Sequence, residues 1–99
     1  MADLTLNPSP AIVGQVVYAS GCGYDLDTLA PPVLLRITAP DGDVIEYGVG
    51  IWYQGACMNP TPVSVDEAGM WTFEAFQRKG KSRKNAKYEL KATAVLTVS

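Results

Sequence analysis

The chain contains no histidine. The commonest general base, the commonest metal ligand and the usual switch near neutral pH are therefore missing together. Cysteine is scarce as well. Cys22 and Cys57 are too few for a four-thiolate zinc site, and no imidazole stands by to complete a mixed one. A serine or cysteine nucleophile would lack its usual base, and no glycine-rich phosphate loop follows a strand and opens a helix. No apolar run approaches the roughly 18 residues of a membrane-crossing helix. The opening Met-Ala-Asp-Leu-Thr-Leu-Asn-Pro has neither the basic start nor the apolar stretch of a secretory signal. Together these absences argue against an enzyme, a bound cofactor or metal and a membrane anchor, and for synthesis in the cytoplasm.

What is present is a polarised distribution of charge. Lys and Arg number 8, Asp and Glu 10, for a formal net charge of −2. Six of the bases, Arg78, Lys79, Lys81, Arg83, Lys84 and Lys87, fall within ten positions that hold no acid. This stretch lies between two strand-like runs, Met70–Gln77 and Tyr88–Val98, and Gly80, Ser82 and Asn85 supply turn chemistry for a hairpin tip. An acidic body with one cationic prong suits docking on a negatively charged surface. The plain alternative is a tip kept soluble by its lysines. Nucleic acid is a poor partner, because single-strand binders interleave aromatics with their bases and none lies between Gln77 and Lys87.

Ninety-nine residues, 47% of them apolar, make a single domain spanning 1–99 with enough apolar surface to bury a core. Pro and Gly punctuate short alternating runs, and no helix of ten residues suggests itself. The runs read as seven strands: Leu4 to Leu6, Gln15–Gly21, Val33–Ala39, Val44–Gln54, Val63–Val65, Met70–Gln77 and Tyr88–Val98. Pro40-Asp41-Gly42-Asp43 reads as a hairpin turn. Asn59-Pro60-Thr61-Pro62 reads as a break, and Tyr24–Pro32 as a loop. The Asp25/Asp27 and Asp41/Asp43 pairs are explained by turn chemistry rather than by calcium. This pattern predicts an all-β antiparallel sandwich of immunoglobulin-like type.

The motifs Leu4-x-Leu6-x-Pro8, Val13-Gly14-Gln15 and Gly21-Cys22-Gly23-Tyr24 resemble the opening of bacterial and phage immunoglobulin-like domains. Asp66-x-Ala68-Gly69-x-Trp71-x-Phe73 resembles their penultimate strand, and Ala92-x-Ala94-x-Leu96-x-Val98 their closing one. The resemblance covers most of the chain and implies a fold without implying a site. Following the strands, Cys22 and Cys57 reach the same end of the sandwich, where a disulfide would close a loop of about 35 residues worth roughly 2–4 kcal/mol. Two buried free thiols are the alternative.

Alternation points Trp71, Phe73, Ala75, Tyr88, Leu90, Ala92, Ala94, Leu96 and Val98 inward, with Val33, Leu35, Ile37, Ile45, Tyr47, Val49 and Ile51. The indole N–H of Trp71 should find a backbone partner at the corner. The opposite parity turns Leu34, Trp52, Phe76 and Val95 outward on one sheet, where they could form an apolar patch that marks a partner surface. Scattered single apolar residues are the bland alternative.

A lone domain of this type most resembles small virion proteins of tailed phages. The expectation is a capsid decoration or minor capsid protein whose partner is the major capsid protein or another virion protein, with copies meeting on the particle. A glycan- or protein-binding module excised from a secreted bacterial surface protein or adhesin is the runner-up. A tail-tube or tail-tip accessory domain is a third address.

Overall fold

A computed structural model describes residues 2–26, 32–52, 54–79 and 87–99, the side chains of Gln54, Lys79 and Lys87 apart. The described residues form eight strands: β1 (Thr5–Asn7), β2 (Val16–Gly21), β3 (Val33–Thr38), β4 (Val44–Val49), β5 (Ile51–Trp52), β6 (Cys57–Ser64), β7 (Gly69–Lys79) and β8 (Lys87–Val98). One 3-10 turn, Gln54–Ala56, separates β5 from β6. The strands pair antiparallel into two sheets, ordered β1-β2-β6-β5 and β4-β3-β7-β8. The molecule is an all-β sandwich.

Period-two alternation builds the core. β3 turns Val33, Leu35 and Ile37 inward, and β7 turns Trp71, Phe73 and Ala75 inward from the same sheet. Leu6, Val17, Ala19, Met58 and Val63 meet them from the opposite sheet. Each of the Val, Leu, Ile, Phe and Met side chains among them, fully withdrawn from water, is worth about 1.5–3 kcal/mol. Trp71 anchors the corner where the chain enters β7, its indole N–H donating to the Glu67 carbonyl at 2.9 Å. At the β3–β4 turn Gly42 adopts φ +96°, open to glycine at no steric cost, while Ala39 N–H donates to the Asp43 carbonyl at 2.8 Å.

The run Val44–Gln54 is two strands in two sheets rather than one. The chain leaves β4, crosses at Gly50, and enters β5 beside β6. At the crossing Asn59 N–H donates to the Gly50 carbonyl at 2.9 Å, and a Cβ on Gly50 would sit 2.8 Å from the Asn59 side chain. Nor is Asn59-Pro60-Thr61-Pro62 a break: both prolines lie inside β6, with Pro62 opposite Tyr18. β5 pairs only with Cys57 and Met58, so beyond Asn59 that side of β6 is an open edge among the described residues, where strand prolines are tolerated. The same shortness of β5 explains β4. Ile45 and Tyr47 share a face with the buried Ile37 and Leu35, yet both stay exposed because little of the opposing sheet reaches over them.

β8 carries a bulge. Ala75 faces Ala92, but the next pair is Phe76 with Leu90, which leaves Lys91 as the extra residue. The bulge reverses parity along the first part of β8. Tyr88 and Leu90, expected inward from simple alternation, stand on the outer face and are exposed, whereas Leu96 and Val98 beyond it are buried.

Candidate functional site

The outer face of the sheet β4-β3-β7-β8 is organised in rows that run across the strands. Gly48, Leu34, Phe76 and Leu90 align as an apolar row. The neighbouring row, Glu46-Arg36-Glu74-Thr93, is polar, and the one beyond it is Val44-Thr38-Thr72-Val95. Arg36 couples the first two rows: its Nε donates to Glu46 Oε2 at 3.0 Å while its guanidinium lies 4.8 Å from the Phe76 ring centre. On the other side of the apolar row, Arg78 and Tyr88 pair across β7 and β8. Arg78 Nε donates to the Tyr88 hydroxyl at 3.1 Å, with the guanidinium 5.6 Å from the ring centre.

Leu34, Phe76 and Val95 thus lie on one face, as expected, with Leu34 directly opposite Phe76. Trp52 does not join them. β5 belongs to the other sheet, and Trp52 stands on that sheet's surface opposite Cys57. Sequence alternation also missed Leu90 and Tyr88 as members of the face, because the Lys91 bulge leaves no mark in the hydrophobic pattern. Of the cationic cluster, Arg78 is placed on this face. Lys81, Arg83 and Lys84 lie outside the described residues, as do the side chains of Lys79 and Lys87.

Cys22 and Cys57 are joined by a disulfide across 35 positions. It sits at the end of the sandwich toward which β7 runs, and a polar network holds the chain beside it. Gln77 is fully buried, the inward residue after Trp71, Phe73 and Ala75. Its Oε1 accepts from Asp25 N–H at 2.9 Å, and its Nε2 donates to the Asp25 carbonyl at 2.9 Å and the Pro32 carbonyl at 3.0 Å. Lys91, the bulge residue, reaches Asp25 at 3.1 Å and Glu89 at 3.3 Å. The hydrogen bond to Asp25 is the main reason its ammonium is held above the ordinary lysine range. Asp27, the other half of that acidic pair, lies outside the described residues.

Near the disulfide the N-terminal segment is clamped at Asp3. Asp3 N–H donates to the Cys22 carbonyl at 3.0 Å, Cys22 N–H donates to Asp3 Oδ1 at 2.9 Å, and the Tyr24 hydroxyl donates to the Asp3 carbonyl at 2.6 Å. Burial, reinforced by the Asp3 charge, pushes the Tyr24 phenol up to about 12. Gly21 makes the clamp possible, since a Cβ there would collide with the Asp3 backbone carbonyl. A groove of about 560 Å³ opens beside it on the outer surface of the β1-β2-β6-β5 sheet, between Asp3 and Trp52.

The opposite end is acidic. Glu67 is pushed above the ordinary carboxylate range, by desolvation first and then by Asp41, Asp66 and Asp43. Asp41 Oδ1 accepts from Asp43 N–H at 3.0 Å, which is turn chemistry. Among the described residues no three His, Cys, Asp or Glu side chains gather as a metal site, and no helix is long and apolar enough to cross a membrane. No protein-family model, curated protein or solved structure matches the chain.

Proposed function

We propose that this chain is a non-enzymatic structural protein of a phage virion, an immunoglobulin-like sandwich that docks on the capsid shell as a decoration or minor capsid protein. The observation that carries the reading is the outer face of the β4-β3-β7-β8 sheet. Its apolar row of Leu34, Phe76 and Leu90 runs beside the Arg78–Tyr88 pair, at the base of the cationic stretch. Apolar contact area next to clustered positive charge fits an acidic protein surface with shallow apolar relief. The occupant of that face is the major capsid protein. Two motifs behind the immunoglobulin-like resemblance fall at corners of the fold, with Gly21-Cys22-Gly23-Tyr24 leaving β2 and Asp66-x-Ala68-Gly69-x-Trp71 entering β7. Many copies on one particle make modest individual contacts sufficient.

The test mixes purified protein with undecorated phage shells across a salt series. Occupancy should fall as salt rises. Replacing Lys81, Arg83 and Lys84 together by Glu should lower it further, and Leu90→Glu should lower it at every salt concentration. Unchanged occupancy in both variants, with folding intact by circular dichroism, would reject this face as the dock.

The disulfide supports a second reading, a module of a secreted bacterial surface protein, because such bridges persist where the surroundings are oxidising. A virion released by lysis meets the same surroundings. Neighbouring reading frames separate the two: a major capsid protein and scaffold favour the first, a surface protein with an export signal the second.

A further inference from the structure

We propose that the groove between Asp3 and Trp52 binds one pyranose ring of an uncharged glycan. It crosses the outer surface of the β1-β2-β6-β5 sheet, and its volume of about 560 Å³ falls in the range of small-ligand sites. Trp52 forms one wall and is 62% exposed, an unusual position for the largest apolar side chain in the protein alphabet. Its negative π face suits the polarised C–H groups on one side of a sugar ring. Small residues and the disulfide, among them Ser20, Gly21 and Cys22, leave the space between the walls open.

Hydrogen-bonding groups stand on the opposite wall. Thr5 and Ser20 are directly paired across β1 and β2 and line the groove together. Neither hydroxyl, nor Asp3 Oδ2, holds a hydrogen bond to another described residue. Asp3 Oδ1 is engaged with Cys22 N–H, and the Asp3 carbonyl with Tyr24, so Oδ2 sits on a braced backbone. A rigid acceptor and two hydroxyls that both donate and accept match the hydroxyl groups of a sugar.

Charge narrows the ligand. Among the described residues the groove is lined by one carboxylate and no base, which disfavours sialylated or phosphorylated sugars. A lysine or arginine from a protein partner could lie over Trp52 near Asp3. Such a cation brings donors alone and offers no acceptor to the Thr5 and Ser20 hydroxyl hydrogens. The neutral ring satisfies all three groups. The groove and the proposed dock lie on the outer surfaces of opposite sheets. A copy seated on a shell by the dock would therefore present the groove away from the particle. That orientation rests on the docking reading; the binding itself does not.

The experiment records amide and indole N–H spectra of the labelled protein during titration with methyl glucopyranoside, methyl galactopyranoside, methyl mannopyranoside and N-acetylglucosamine. Each is taken to about 50 mM, because a lone ring on an open groove binds at about millimolar Kd. At least one probe should shift the Trp52 indole signal together with Thr5 and Ser20, leaving the buried Trp71 indole in place. Trp52→Ala should weaken binding at least tenfold, Trp52→Phe much less, and Asp3→Asn should weaken it measurably with the fold unchanged. Saturation by none of the four sugars would overturn the proposal. So would binding that survives Trp52→Ala, or the same shifts produced by arginine methyl ester alone. Shell docking is measured separately, so either conclusion can fail without the other.

Discussion

Gln77 and Asp25 grip each other twice, side-chain amide against backbone amide, with both hydrogen bonds at 2.9 Å. A third bond from Gln77 to the Pro32 carbonyl makes one buried side chain the pin for the segment that leaves β2 and the one that enters β3. Replacing it with Leu keeps the volume roughly and removes every partner. Leaving those backbone groups unpaired should cost about 2–4 kcal/mol. Urea denaturation of Gln77→Leu would show this as a lower midpoint at unchanged slope. A loss below about 0.5 kcal/mol would mean that water replaces the amide.

The Cys22–Cys57 disulfide ties the exit of β2 to the start of β6. Reduction, or the double change to Ala, should lower stability by about 2–4 kcal/mol through the 35-residue separation it closes. Chemical denaturation with and without dithiothreitol measures the difference. In the reduced protein Trp71 should keep its native emission below the transition, since its partner Glu67 lies at the far end.

Tyr24 sets an alkaline limit. Its phenol ionises near 10 when unfolded but only at about 12 in the fold, so between those values the native state binds more protons. The stabilisation is complete below about pH 10 and is lost as pH rises through 12, an effect of up to about 2–3 kcal/mol. Tyr24→Phe should flatten much of that slope and lose about 1 kcal/mol at neutral pH with the bond to Asp3. Lys91 is also held above its ordinary range, so it adds to the alkaline slope with the same sign.

Gly21 is sterically required. A methyl group there would overlap the Asp3 backbone, which is clamped on both sides. Gly21→Ala should cost about 1–3 kcal/mol, as overpacking does. Amide spectra should locate the disturbance at residues 3–5 and 20–24, with the β7–β8 pairing intact. A disturbance spread through the opposite sheet would show that the clamp is not local.

Much of the fold is legible from alternation alone. β3 and β7 are flanked on both sides in their sheet, so their inward residues follow the period without interruption, and Trp71 sits where Asp-x-Ala-Gly announces a corner. The edges are harder. Whether Val44–Gln54 stays in one sheet depends on a single crossing at Gly50, and that choice moved Trp52 from one surface of the molecule to the other. The prolines of β6 read as a break because the sequence does not reveal how little of β6 is paired on the β5 side among the described residues. Leu34 and Phe76 were identifiable as outward neighbours. Gln77 continues the inward series of Trp71, Phe73 and Ala75 without having been singled out, because its partners lie 45 and 52 positions away and no local pattern names them.

Lys91 has a wider consequence. One inserted residue decides which side of the protein half of a strand addresses, and it does so without altering a single hydrophobic side chain. In a register one position shorter Tyr88 and Leu90 would turn to the opposite face of the sheet. Gaining or losing one codon in the last strand therefore exchanges the side chains that half of β8 presents to solvent, with amino-acid composition barely changed.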